Sequence, residues 1–250
     1  HSLIILILLI NERGLGMERL ITEQEDLLLV LDNLLREPKF FWDDFYRDRK
    51  REVPFFTVKP DENLIEYVER NIFKQGNVLE LGCGPGRNAI YLANKGFAVD
   101  AVDISKETIQ WATERAKKEN IDVNFICQNI FELNIQEGSY DIVYDSGCFH
   151  HIAPHRRMSY IQLIQRALKS GGYFAITCFS PNSEYGGATI SDEEVYRSLS
   201  LKGGLGYDES KLRAIFKEFK EIEIRQMREI KPPAETLGLA GFMTAVFQKT

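Results

Sequence analysis

An apolar run, Val78-Leu79-Glu80-Leu81, breaks into Gly82-Cys83-Gly84-Pro85-Gly86 and then into a helical pattern from Arg87-Asn88. No other stretch of the chain limits its fold so tightly. Three glycines within five residues allow a sharp turn at the carboxyl end of a strand and let a ligand approach the backbone with no Cβ in the way. The helix that follows aims its N-terminus at the same point, where unpaired N–H groups favour a polar ligand. The pattern predicts the opening of an α/β sheet and a loop for a nucleotide-type cofactor.

The spacing separates the candidate cofactors. A dinucleotide loop reads G-x-G-x-x-G, but here the third glycine comes one residue early and Arg87 stands in the expected place. Roughly 20 residues further on, Phe97-Ala98-Val99-Asp100-Ala101-Val102-Asp103 alternates as a second strand ending on an acid, where nucleotide folds place a ribose-binding carboxylate. Asp103 is suited to that role because a carboxylate accepts charge-assisted hydrogen bonds from both ribose hydroxyls. Ser105 is the better N-cap for the helix that follows. A third strand ends at Cys127, before Gln128-Asn129-Ile130-Phe131. A fourth, 140–145, runs into Ser146-Gly147-Cys148-Phe149-His150-His151-Ile152. A helix over about 154–168 leads through Lys169-Ser170-Gly171-Gly172 to a fifth strand, 173–179, and residues 221–228 and 242–248 alternate as two more.

Taken in order, the string E-L-G-C-G-P-G at 80–86, Asp103, Asn129-Ile130, Asp145-Ser146-Gly147 and the Gly171-Gly172 turn resemble the successive motifs of the class I S-adenosylmethionine (SAM) dependent methyltransferases. The resemblance covers about residues 76 to 180. It implies a Rossmann-like, doubly wound α/β fold: a seven-stranded sheet with an antiparallel last strand inserted between the fifth and sixth, helices on both faces, and an N-terminal helical cap. It implies SAM as cofactor and S-adenosylhomocysteine as product, with Glu80, Gly82, Cys83, Gly84, Gly86, Asp103, Ile104, Asn129, Ile130 and Asp145 as cofactor-binding residues. The chain departs from the family at Asn129, where an acid is usual, although an Asn carbonyl still accepts from an exocyclic amine. It departs again at Ser170, which replaces a proline.

Residues 145–152 with 177–180 look most like the small-molecule methyltransferases of the thiopurine and tellurite-resistance type. That likeness implies a small-molecule acceptor, a thiol or other chalcogen, a hydroxyl or an amine. Alignment and exclusion of water supply most of the rate in such a transfer. His151, and beside it His150, are the candidate catalytic bases, because imidazole titrates near neutrality. No N-P-P-Y-type tetrapeptide follows the fourth strand, which argues against methylation of adenine or glutamine amides. An NAD-dependent oxidoreductase would share the glycine loop but needs a relay such as Tyr-x-x-x-Lys, and Tyr160 has Ile164 at that offset. A catalytically silent SAM-binding partner subunit would share the cofactor half and lack an open acceptor pocket.

Composition narrows the partners. A chain of 250 residues with 44% hydrophobic content can build a sizeable core. The net charge of −6, with basic residues 47–51 interrupted by Asp48, argues against a general grip on nucleic acid. Cys83, Cys127, Cys148 and Cys178 lack C-x-x-C spacing and read as free thiols of a reducing, cytoplasmic compartment. His150, His151 and His155 lack metal-ligand spacing, so no metal is expected. The apolar run 3–10 is too short for a bilayer, which takes about 20 residues, and has neither a basic segment before it nor a cleavage pattern after it. Residues 1–16 therefore read as an uncertain extension or expression remnant, with Met17 a candidate start and no membrane partner; no feature sets an oligomeric state.

Residues 17–72 are expected to form a helical and aromatic cap. Thr22 and Glu25 form a predicted capping box, and the rings of 40–46 and 53–56 serve either as a lid or as a cover for the sheet edge. The methyltransferase domain is expected over 73–250, with a Ser/Gly-rich insertion near 180–206 at the ligand-binding edge, where Tyr185, Tyr196 and Arg197 are candidate substrate contacts.

Overall fold

The computed structural model describes residues 20–231 and 233–250. The extension expected over 1–16, with Met17, lies outside the described residues. Two helices come first, α1 (Gln24–Asn33) and α2 (Pro38–Arg47). The capping box of α1 differs from the expected Thr22–Glu25 pair: Glu23 is the N-cap and Asp26 accepts from its backbone N–H and from the Thr22 hydroxyl. Pro38 occupies the first turn of α2, where its missing N–H leaves nothing unpaired, and the Glu37 carboxylate caps Lys39 and Phe40.

Helix α3 (Glu62–Glu69) then leads into the alternating part of the chain: β1 (Asn77–Leu81), α4 (Arg87–Asn94), β2 (Ala98–Asp103), α5 (Lys106–Glu119), β3 (Asn124–Cys127), β4 (Tyr140–Ser146), α6 (Arg157–Ala167) and β5 (Leu168–Phe179). Two short helices, α7 (Asp192–Arg197) and α8 (Glu209–Ile215), precede β6 (Lys220–Gln226) and β7 (Phe242–Gln248). The seven strands lie in the order β3-β2-β1-β4-β5-β7-β6, and only β7 runs against its neighbours. The antiparallel last strand sits between β5 and β6, as expected. Strand β5 begins five residues before the expected Tyr173, because Leu168 pairs with Tyr140 ahead of an irregularity in the register.

Alternation along the central strands sends side chains into two cores. On one face Leu79, Leu81, Val143, Phe174 and Phe247 pack against Tyr160, Leu163 and Ile164 of α6 and Leu212 of α8. On the other, Val78, Ala101, Ile142, Tyr144 and Val246 pack against Leu64 and Tyr67 of α3 and Ala89 and Leu92 of α4. Helices thus cover both faces. Burying one such leucine contributes roughly 1.5–3 kcal/mol, enough to fix the register of a short central strand. The strand order reverses at β1, which is flanked by β2 and β4, so the carboxyl ends of these strands open a crevice there. Among the described residues no helix is long and apolar enough to cross a membrane.

Candidate active site

The crevice is one end of a cavity of about 1110 Å³. Its floor is the glycine turn after β1, and its roof is the cap segment. Gly82 and Gly84 both hold positive φ, 66° and 52°. A Cβ on Gly82 would lie 2.6 Å from Cβ of Cys148, and one on Gly84 would lie 3.2 Å from the Tyr46 hydroxyl of α2. The floor therefore admits only glycine at Gly82, and the roof comes down on Gly84. Gly86 does not line the cavity; a Cβ there would face Ala112 and Phe125 on the far side. Cys83 does line it, in thiol form, since burial pushes its pKa well up.

Asp103 ends β2 on the cavity wall. One carboxylate oxygen accepts from the Gly84 N–H at 3.0 Å and the other from the Ser105 N–H at 2.9 Å. Burial raises its pKa to about 6, against the pull of those donors. Each oxygen keeps lone-pair capacity, so the group can still grip a diol. Ile104 stands beside it. At the end of β3, Asn129 and Ile130 line the same wall. Asn129 accepts from the Phe131 N–H at 3.1 Å, which leaves its two amide hydrogens and part of its carbonyl capacity for a ligand.

Glu80 also lines the cavity, from the carboxyl end of β1. It is buried, and its Oε2 has no hydrogen-bond partner among the described residues. Burial pushes its carboxyl up to about 8, although Arg87 works in the other direction. An uncompensated buried acid is costly, so a cationic ligand group beside it would be strongly held.

Asp145 is placed differently from the expectation. It lies on the opposite face of β4 and is absent from the cavity wall. One oxygen accepts from the N–H of Cys148 and of Phe149, and the other accepts the Tyr160 hydroxyl at 2.5 Å. Its carboxylate shapes the Ser146–Ile152 loop from below. The sequence spacing marked the position, but the alternation of β4 turns Asp145 with Val143 toward α6 and away from the cavity.

The two candidate bases both line the cavity, in unexpected states. His150 is buried, with Nδ1 accepting the Phe179 N–H at 3.2 Å and its ring stacked 3.7 Å from that of Phe179. Burial drives its pKa well below the ordinary value. A neutral imidazole with Nδ1 occupied carries its proton on Nε2, so His150 is a hydrogen-bond donor and not a base. His151 is half-buried beneath Trp42 of α2, ring centroids 4.9 Å apart. Burial first, and the Arg36 charge second, lower its pKa to about 3. Its lone pair is available but weakly basic.

Three features escaped sequence reasoning. A buried network joins Asp61 to Arg87 at 2.6 Å, to Asn88 and to the Tyr144 hydroxyl, and Arg87 continues to Ser146 at 3.0 Å. The partners of Asp61 lie 26 to 83 residues from it in sequence, which leaves no local signal for its role. Second, Arg115 of α5 donates to the carbonyls of Phe56 and Thr57 in the cap and of Pro85 in the glycine turn. Third, the cap is tied to the Asp103 side of the cavity by Asp43, which accepts the Ser105 hydroxyl at 2.8 Å. Rings of α2 and of the 54–56 turn line the cavity opposite the glycine turn, and Tyr185 from the insertion joins them. Tyr196 does not: its hydroxyl is engaged by the N–H and Nδ1 of His155. Arg197 is exposed and pairs with Glu193. All four cysteines are free, and no cluster of three or more metal-type ligands occurs among the described residues.

Residues 78–172 match the family model of a methyltransferase domain. An uncharacterized methyltransferase of Schizosaccharomyces pombe is 35% identical over 108 residues, spanning 43% of this chain and 74% of that protein. A probable S-adenosyl-L-methionine-dependent methyltransferase TehB of Haemophilus influenzae is 29% identical over 149 residues, 60% of this chain and 48% of the relative. Among solved structures, TehB from Haemophilus influenzae superposes with a TM-score of 0.57 at 24% identity, covering 75% of this chain and 62% of that one. A protein studied for conversion of a disulfide bond into a thioacetal group during echinomycin biosynthesis superposes with a TM-score of 0.68 at 20% identity, covering 85% and 92%. At these identities the solved structures speak to the fold.

Proposed function

Because the chain belongs to the class I S-adenosylmethionine-dependent methyltransferases, we propose that it methylates a small molecule whose acceptor atom ionises readily without help from a protein base. The reading that it is an oxidoreductase falls away with that membership, and Tyr160, the residue a proton relay would require, is buried with its hydroxyl on Asp145.

The observation that carries this proposal is the state of the acceptor wall. His150 is a donor, His151 has a pKa near 3, and burial pushes the Cys148 thiol well up. Among the described residues, the cavity end beneath Trp42 holds no group that would take a proton near neutrality. A soft thiolate or another chalcogen anion meets that condition, and a hydroxyl does not. The roofed, aromatic cavity favours a small acceptor over a macromolecule, and at about 1110 Å³ it exceeds the ordinary range for one small ligand, leaving room for cofactor and acceptor together.

The cofactor supplies an already activated methyl on its sulfonium. In our assignment Asp103 holds the ribose hydroxyls, Ile104, Asn129 and Ile130 form the adenine wall, the turn Gly82-Cys83-Gly84 lies along the methionine portion, and the unpartnered Oε2 of Glu80 receives its ammonium. His150 Nε2–H and the His151 lone pair orient the acceptor, while Trp42 and its neighbours exclude water. The four free thiols accord with a reducing compartment such as the cytoplasm.

The test is calorimetric titration with S-adenosylhomocysteine, with NAD as control, followed by turnover on matched thiol, alcohol and amine acceptors. Asp103→Ala should cost roughly 1.5–3 kcal/mol of cofactor binding, the value of charged hydrogen bonds. Thiol turnover that exceeds that of the matched alcohol supports the proposal; turnover confined to alcohols or to macromolecules overturns it.

A further inference from the structure

The acceptor end of the cavity holds a cation without an acid. Arg36, in the bend between α1 and α2, lines the cavity with its guanidinium 3.2 Å from the centroid of the Phe41 ring. No carboxylate among the described residues pairs with it, and burial alone moves its pKa, downward. The nearby acids are engaged elsewhere: Asp32 with Arg156 and His155, Glu37 in capping α2, Asp44 with Arg47. The other cavity arginines are also satisfied, Arg87 by Asp61 and Arg156 by Asp32 and Glu25.

The cavity is therefore polarised. The carboxyl groups of Glu80 and Asp103 lie at the glycine-turn end, where the cofactor assignment places an ammonium and a ribose. Arg36 lies at the other end, close enough to His151 for its charge to oppose protonation of that imidazole. Stacking on Phe41 fixes the plane of the guanidinium and leaves its N–H fork free, the geometry that suits a planar oxyanion. An aromatic path joins Arg36 to His151: Arg36 lies on Phe41, Phe41 meets Trp42, and Trp42 meets His151, which also contacts Phe179 of the sheet.

We infer that Arg36 determines the charge of the substrate: the methyl acceptor has an aromatic or apolar body and carries a planar oxyanion, a carboxylate or its like, which Arg36 binds through its fork. The inference rests on the reading of this cavity as a joint site for SAM and a small acceptor.

A matched pair of probes tests it. Protein saturated with S-adenosylhomocysteine, whose sulfur is uncharged, is titrated with 2-naphthoate and with 2-naphthamide. The carboxylate should bind about tenfold tighter, as one charge-assisted contact implies. Arg36→Gln should abolish that preference, Arg36→Lys should keep part of it, and neither should alter affinity for S-adenosylhomocysteine. Equal binding of the two probes, binding of neither, or a preference that survives in Arg36→Gln overturns the inference. Failure of the cofactor assignment shows separately, as loss of S-adenosylhomocysteine binding in the first titration.

Discussion

The backbone N–H of Phe179 donates to Nδ1 of His150 at 3.2 Å while the Phe179 ring lies against the same imidazole. The carboxyl end of β5 and the loop after β4 are thereby locked together, and one of the two histidines is fixed in the donor tautomer. His150→Phe leaves the Phe179 N–H unpaired and should cost about 1–3 kcal/mol of stability. His150→Asn, which places an amide oxygen near the Nδ1 position, should recover part of that. Denaturant midpoints of the two variants decide the matter, and equal losses would show that the hydrogen bond is not what holds the loop.

His151 makes the fold sensitive to acid. Its folded pKa of about 3 lies below the ordinary 6.5, so between those values the unfolded chain binds a proton that the native protein refuses. The stability it permits is complete above pH 6.5 and declines as pH falls toward 3. Because the ring is half-buried and meets cavity solvent, the loss should be about 1 kcal/mol by about pH 5.5. His151→Phe should flatten this part of the stability–pH curve. A curve identical to that of the parent would mean an imidazole of ordinary basicity and would restore His151 as a general base.

Glu80 works with the opposite sign. Its pKa, raised from 4.5 to about 8, means that the native protein holds a proton which the unfolded chain releases, so stability falls as pH rises across that interval. Glu80→Gln should be more stable than the parent at pH 8, by on the order of 3 kcal/mol, and equal to it near pH 4. The same variant should bind S-adenosylhomocysteine more weakly. Thermal melts at the two pH values with one calorimetric titration read both effects, and a Gln variant that gains no stability at the higher pH would mean that Glu80 ionises in the folded protein as readily as in the unfolded chain.

The Arg87–Asp61 pair is buried on both sides, with side chains 7% and 1% exposed. Arg87→Met would strand Asp61 without its cation and should destabilise by roughly 3–5 kcal/mol. Adding Asp61→Asn should restore a large part of the loss. A double-mutant cycle in denaturant measures the coupling, and additive losses would show that the two residues act independently.

The sheet was legible because its signals are local. Alternation in 97–103 and 242–248 and the glycines at 82–86 need no distant partner to be read. The roles of individual side chains depended on what packs around them. Asp145 and Glu80 both sit on central strands, yet one faces α6 and Tyr160 while the other faces the cavity. The alternation of β4 carried that distinction, since Asp145 must share the face of Val143. The depressed basicity of His150 and His151 comes first from burial, which only the fold creates; the second push is local for His150, from the adjacent His151, and distant for His151, from Arg36. The same dependence on the fold holds for Arg115, whose three carbonyl partners come from two separate segments.

Among the fastenings of the cap, those Arg115 contacts and the ion pairs of Arg156 are unlike in kind. At its inner end the 54–57 turn is held to the glycine turn by hydrogen bonds to neutral carbonyls, which ionic strength scarcely touches. At its outer end α1 is held by Asp32 and Glu25, whose side chains are 39% and 58% exposed and whose bonds to Arg156 are open to screening. Rising salt should therefore loosen α1 before the inner turn, which hydrogen exchange of the two segments at low and high salt reads. An opening on that side would expose the Arg36 end of the cavity and leave the glycine turn covered.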